Sequence, residues 1–139
     1  MSMFAQNKVK QWAQSNIMTK IKRLVRRKDR RKNRSKKTSK MHPTRLRLVI
    51  FRSLKHFEAQ VINDFKGETL VSVSSKEKKI RAILEQGNKT DVCIIIGKEL
   101  AKRVKTAKLG PLVLDRNGYP YHGRVKAFTE SARTNGLEL

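Results

Sequence analysis

Thirteen Lys and Arg side chains fall within residues 20–40, and such a run cannot be buried in a core of the chain's own making. Folding has to happen elsewhere in the sequence, and this run has to face water or something anionic. The charge is divided accordingly. Residues 1–40 hold 15 Lys and Arg against one acid, Asp29, for a net +14, while residues 41–139 hold 19 against ten, for a net +9. A net charge of +23 on 139 residues repels itself strongly, which disfavours a compact state that nothing screens. Nucleic acid is the default partner, because each Lys or Arg that meets a phosphate releases a condensed counterion. A membrane surface or an acidic protein is the alternative.

Other classes are disfavoured by what the chain holds. Cys93 is the one cysteine, so no internal disulfide forms and a reducing interior is the natural compartment. One Cys with the scattered His42, His56 and His122 makes no zinc-ligand spacing, and neither a metal nor a cofactor is expected. No apolar run approaches the ~20 residues of a membrane-spanning helix, and no secretory hydrophobic core is present.

Three segments follow from composition. Residues 1–17 are acid-free, with Phe4, Val9 and Trp12 among Gln, Asn and Lys, and have no assignable role beyond docking on a neighbouring surface. Met18 is a candidate alternative start. Residues 18–43 form a basic arm, helical in pattern around Ile21, Leu24 and Val25. Like charges at i, i+4 weaken an isolated helix, so the arm is expected to be disordered alone and to order on RNA. Residues 38–44, with Ser39 and Pro43, read as a linker. Residues 44–139 read as one globular domain.

Within that domain the hydrophobic period is 2 at first. Leu46, Leu48 and Ile50 share one face of a strand over 46–51. Phe57, Ala59 and Val61 do so over 56–62, and a β-branched strand spans 69–73. The turn at 63–67 has the right chemistry, so an antiparallel meander is expected. The period then becomes helical. Ser74 and Glu77 have capping-box spacing ahead of Ile80, Ile83 and Leu84, and Gly87-Asn88 stops that helix. Residues 91–106 are ambiguous at their start, yet Val92, Ile96, Leu100 and Val104 recur every four residues and the length favours a helix. Leu112-Val113-Leu114 reads as a strand buried on both faces. A last helix is expected over 122–134, with Val125, Phe128 and Ala132 on one side. The order βββ-α-α-β-α is an α/β architecture.

One segment carries a family signature. Asp115-Arg116-Asn117-Gly118, then Tyr121-His122-Gly123-Arg124-Val125, followed by Ala127, Ala132-Arg133 and Gly136-Leu137, resembles the carboxyl-terminal motif of large-subunit ribosomal protein eighteen of the bacterial type. Arg52, followed by His56-Phe57-Glu58-Ala59-Gln60-Val61-Ile62, is similar to the hairpin of that family. Residues 74–77 and 97–103 match more weakly. The likeness spans residues 45–139, and the arm matches in character only. It implies a ribonuclease-H-like three-layer domain with a mixed sheet, and it resolves 91–106 as a helix. It also implies a structural role rather than an enzymatic one. The expected partners are 5S rRNA, 23S rRNA and neighbouring large-subunit proteins of the central protuberance, with no membrane. The expected location is the cytoplasmic ribosome, an organellar ribosome being the alternative.

The residues expected to contact RNA are Arg23, Arg26, Arg27, Arg30, Arg31, Arg34, Lys36 and Lys37 on the arm, and Arg45, Arg47, Arg52, Lys55, His56, Arg116, Tyr121, His122, Gly123 and Arg124 on the domain. Double-helical RNA hides its base edges, so recognition rests on phosphates, 2′-hydroxyls and shape. Arg contacts phosphate bidentately. Free N–H groups at the start of the last helix attract phosphate, and Gly123 permits close backbone approach. Tyr119 and Tyr121 offer stacking surfaces, although Tyr121 serves equally as a core aromatic and His122 as a helix cap. A ribonuclease-H-like nuclease is the competing reading. It needs clustered carboxylates, and Glu58, Asp64 and Asp115 show no paired spacing. Removing residues 1–40 is expected to leave the domain folded while weakening RNA binding strongly. Circular dichroism that shows an unfolded remainder would overturn the division into arm and domain.

Overall fold

In the computed structural model the described residues are 2–84 and 87–139; Met1, one of the two candidate starts, lies outside them. The arm is a helix, α1 (Met3–Ser39), of 37 residues. It runs unbroken past residue 17 and into the expected linker. Two causes oppose the disorder that charge repulsion leads one to expect. No Gly or Pro occurs before Pro43, and Ala, Gln, Met, Leu, Lys and Arg are strong helix formers. Lys36 and Lys37 in the last turn also suit the negative end of the helix dipole. The described α1 side chains up to Lys37 are exposed, except for the half-buried Ala5 and Ala13.

The domain follows as β1 (Leu46–Arg52), β2 (Phe57–Asn63), β3 (Glu68–Ser74), α2 (Lys78–Leu84), α3 (Lys89–Thr106), β4 (Leu112–Asp115) and α4 (Arg124–Thr134). The sheet order is β3-β2-β1-β4. β1, β2 and β3 form the expected antiparallel meander, with a bulge at Val61/Ile62, and β4 adds in parallel beside β1, so the sheet is mixed. Pairing of Leu48 with Val61, Ile50 with Ala59, and Val61 with Val71 puts the apolar set of each strand on one face. Leu48, Ile50, Phe57, Ala59, Val61, Val71, Val73 and Leu112 are buried there with Val92, Ile96, Leu100 and Val104 of α3 and Val125, Phe128 and Ala132 of α4. Phe57 and Phe128 meet at 5.1 Å between ring centroids. Burial of this set supplies the main driving force for folding.

Several boundaries differ from the sequence reading. α3 begins at Lys89, ahead of Asp91, because the Asp91 carboxylate accepts from the Asn88 N–H at 3.3 Å and closes the first turn two residues earlier. α4 begins at Arg124, not His122, since Gly123 has φ 57° and ψ −122°, a conformation outside the helical region and open to glycine. β4 is an edge strand and not one buried on both faces: Leu112 is buried, Val113 and Leu114 are half-buried. Its edge is partly covered by the chain terminus, the Leu112 N–H donating to the Glu138 carbonyl at 2.9 Å. The core strand residues all lie on the face toward α3 and α4. Among the described residues the body thus has two packed layers.

α3 and α4 pack closely because Gly97 lacks a side chain. A Cβ there would lie 2.6 Å from the Phe128 carbonyl oxygen, and Ser131 Oγ donates to the Ile94 carbonyl at 2.7 Å across the same seam. Gly97→Ala is expected to force the helices apart and cost about 1–3 kcal/mol, as overpacking does. Urea unfolding checks this, and an unchanged midpoint would mean the seam is loose.

Candidate nucleic-acid interface

The carboxyl ends of the parallel strands β1 and β4 lie side by side, and two loops leave from them, residues 53–56 and 116–123. They are tied together. The Tyr119 hydroxyl donates to the Arg52 carbonyl at 3.1 Å, the Arg52 guanidinium lies 5.2 Å from the Tyr119 ring centroid, and Arg124 Nη2 donates to the Ser53 carbonyl at 2.9 Å. The hairpin loop is closed by Ser53, whose hydroxyl accepts from the His56 N–H at 2.9 Å. His56 Nδ1 lies 3.1 Å from the buried Ser75 hydroxyl, which also accepts from the Phe57 N–H. Lys55, Tyr121, His122 and Gly123 are exposed on this end of the domain, and Arg52, His56 and Arg124 are half-buried.

α1 reaches the same end. Asn117 (φ 52°) and Gly118 (φ 81°) make a left-handed turn after β4, and a Cβ on Gly118 would lie 3.0 Å from the Lys32 backbone nitrogen. Helix and turn therefore meet backbone to backbone, which only a glycine permits at this position. Arg31 and Arg34 of α1 and Arg116 of the turn line a cleft of about 540 Å³, with Tyr119 and Pro120 at its side. Arg23, Arg26, Arg27 and Arg30 continue along the exposed helix, and Lys36 and Lys37 follow. One cationic tract thus joins the arm, the turn and the hairpin loop.

Two expected contacts stand apart from it. Arg45 is exposed at the opposite, amino-terminal end of β1. Arg47 points into an ion-pair cluster on the sheet face away from the helices. Its Nη1 donates to Asp115 at 3.0 Å, and its Nε and Nη2 each donate to Asp64 at 2.9 Å. The side chains of Arg47, Asp64 and Asp115 are 12%, 9% and 0% exposed. Burial opposes ionisation of Asp64, but the Arg47 hydrogen bonds, the Met41 N–H and the neighbouring positive charges outweigh it and hold its carboxyl below the ordinary value. The Arg47 guanidinium is correspondingly held above its own by Asp64, against burial and with help from Asp115. Asp115 further accepts from the Asn117 N–H at 2.9 Å and shapes the turn that receives α1.

A second cluster stiffens the helical side. Glu77 caps the segment before α2, accepting from the Ser74 N–H at 3.0 Å as its spacing implies, and it accepts from Arg103 at 2.6 and 3.0 Å. Arg103 lowers the Glu77 carboxyl below its usual range, against a smaller effect of burial. Neither cluster is visible in sequence, because its members are 17, 26 and 68 residues apart and obey no local period. Cys93 is fully buried, and burial pushes its thiol up to about 12, so it is an inert core side chain.

The carboxylates of the nuclease reading are distributed in a way that does not assemble a metal site. Asp64 and Asp115 do converge, but on a guanidinium, and Glu58 binds Ser74 at 3.3 Å and Lys76 at 2.9 Å. Among the described residues no group of three or more His, Cys, Asp or Glu is placed to hold a metal ion. No described helix is long and apolar enough to cross a membrane.

Comparison with known proteins identifies the family. Residues 21–139 match the family described as ribosomal L18 of archaea, bacteria, mitochondria and chloroplasts. Over 95 residues the chain is 50% identical to large ribosomal subunit protein uL18 of a Bradyrhizobium species, covering 68% of this chain and 79% of that one. It is 50% identical to the protein of the same name from Chloroherpeton thalassium, covering 68% and 78%. It is 47% identical to that of a Chelativorans species, covering 68% and 80%. Fold, charge and likeness together define a ribosomal protein of the large subunit. Within that class the chain belongs to the L18 family.

Breaking the Arg47 cluster tests its structural role. Arg47→Met removes the cation that Asp64 and Asp115 share and is expected to cost about 3–5 kcal/mol of stability. Asp64 has a lowered folded value, so its contribution is present above the ordinary carboxylate range and is lost as pH falls through the folded value. Asp64→Asn is therefore expected to flatten the acid limb of a stability–pH profile. A profile identical to that of the unaltered protein would show that the pair contributes nothing.

Proposed function

We propose that this chain is a structural constituent of the large subunit that binds 5S rRNA and attaches it to 23S rRNA in the central protuberance of the cytoplasmic ribosome. The observation that carries this reading is the seat of α1 on the Asn117-Gly118 turn, which makes the arm and the domain one continuous cationic surface. Arg31, Arg34 and Arg116 converge on phosphates at its centre. Arg23, Arg26, Arg27 and Arg30 track the backbone to one side, and Lys36 and Lys37 to the other. Arg52, Lys55, His56, Tyr121, His122, Gly123 and Arg124 meet a second segment of the RNA. Arg45 reaches a separate stretch of rRNA or a neighbouring protein. Arg47 holds this surface in place from within. The arrangement suits folded RNA, whose double-helical parts are read through backbone and shape.

In this reading the chain has no catalytic role. Kinship with ribonuclease-H-like folds rests on the βββ-α-α-β-α order and the mixed sheet, and is an inference about descent rather than chemistry. Residues 18–43 are the RNA-binding arm and 44–139 the domain.

The proposal is tested by titrating a 5S transcript, and a decoy RNA of equal length, with purified protein over a range of salt. Preference for 5S is expected, with log K falling against log salt at a slope well beyond −4 at ~0.7–0.9 per phosphate contact. Substituting Arg31→Gln, Arg34→Gln and Arg116→Gln together is expected to flatten that slope by about 2. Equal binding of transcript and decoy would sink the assignment, and an unaltered slope would remove the cleft from the interface.

A further inference from the structure

The middle of α1 carries a pattern that RNA binding does not use. At ~100° per residue, Ala13, Ile17, Met18, Ile21, Leu24 and Val25 fall within an arc of about 140°. Lys20, Lys22 and Arg23, with Arg26, Arg27 and Arg30 beyond them, fall on the other side. Ile17, Met18, Ile21, Leu24 and Val25 are between 46% and 58% exposed. The domain meets α1 near residues 31–34, a third of the helix further on, and leaves this stripe uncovered. The family match begins at residue 21, so half of the stripe lies on a part of the helix that the match does not include.

We infer that this stripe is a docking face for another protein of the large subunit, one that presents an apolar groove with an acidic rim. Ile17, Ile21, Leu24 and Val25 stand at i, i+4, i+7 and i+8, the spacing with which an amphipathic helix anchors in a groove. An RNA groove offers phosphates and hydroxyls and gives no return for burying aliphatic side chains. The stripe has no aromatic ring on which a base could stack; Trp12 lies outside the arc. A second copy of this helix is opposed by charge, since residues 1–40 carry 15 cations and one acid. The same charge favours acidic residues around the groove, because the cations flanking the stripe need partners on that side. α1 is then a two-faced helix at an RNA–protein boundary, its cationic face on rRNA and its aliphatic face on a neighbour. This inference rests on membership in the large subunit and not on the 5S assignment.

A photo-reactive benzoylphenylalanine placed at Ile21 or Leu24, in protein assembled into large subunits, tests it, with the same group at Arg23 as the opposite-face control. The expected adduct at 21 and 24 is a protein peptide rich in apolar and acidic residues, and the expected adduct at 23 is rRNA. Ile17→Gln, which keeps the helix and its charge, is expected to reduce the protein adduct at position 21 severalfold. RNA adducts at 21 and 24, adducts with a second copy of the chain or with lipid, or no adduct at all would overturn the docking face. Failure at position 23 alone would count against the RNA reading instead.

Discussion

One guanidinium holds the working end of this domain in register. Arg47 on β1 reaches Asp64 beyond the end of β2 and Asp115 at the end of β4, so three segments distant in sequence are fastened at a single buried cation. β4 is a four-residue edge strand that the core holds chiefly at Leu112, with Leu114 packed against its margin. Its placement beside β1 depends on that clasp and on the backbone ladder. Where β4 ends decides where the Asn117-Gly118 turn stands, and that turn decides where α1 meets the domain.

The interface is built at loop ends, in keeping with how rigid scaffolds present binding residues. The core lies on one face of the sheet, and the helices that complete it position α4 so that Arg124 reaches back to the hairpin loop. Half of the cations in the loop region do two things at once. Arg52 and Arg124 hold the two loops together through Tyr119 and Ser53 while staying partly open to solvent. In the proposed reading such residues are oriented before RNA arrives, which lowers the ordering cost of binding. The arm shows the opposite economy, with nearly every cation exposed and α1 itself supplying the alignment.

Much of this was legible in the sequence because it is local. Period 2 in residues 46–73 and period 3.6 in 78–106 and 124–134 follow from side-chain geometry along a strand and a helix, and the structure buries Ile80 with the strand, α3 and α4 sets but leaves Ile83 of α2 exposed. Ser74 and Glu77 met as their spacing implied. The arm departs from the expected disorder, because the high helix propensity of its residues and the foothold at Gly118 outweigh charge repulsion along it. Helix starts at 89 and 124 were displaced by two residues because caps at Asn88 and Gly123 act through backbone geometry. Arg47, expected among the RNA contacts, lies instead in an ion-pair cluster, since a lone basic residue on a strand gives no sign of which face, or which carboxylate, it will find.

By itself the sequence determined the separation of a polycationic segment from a foldable one, the order of the elements, the composition of the core and the family motif at residues 115–125. Those are properties of neighbours along the chain, and short-range sterics and hydrophobic periodicity suffice for them. Only the tertiary structure decided that β4 pairs in parallel beside β1, that Asp64 and Asp115 share Arg47, that the loops at 52–56 and 116–124 become one surface, and that α1 is seated on Gly118. Each of these joins residues far apart in sequence. Such contacts depend on how the whole chain closes around its core, and no local pattern encodes that.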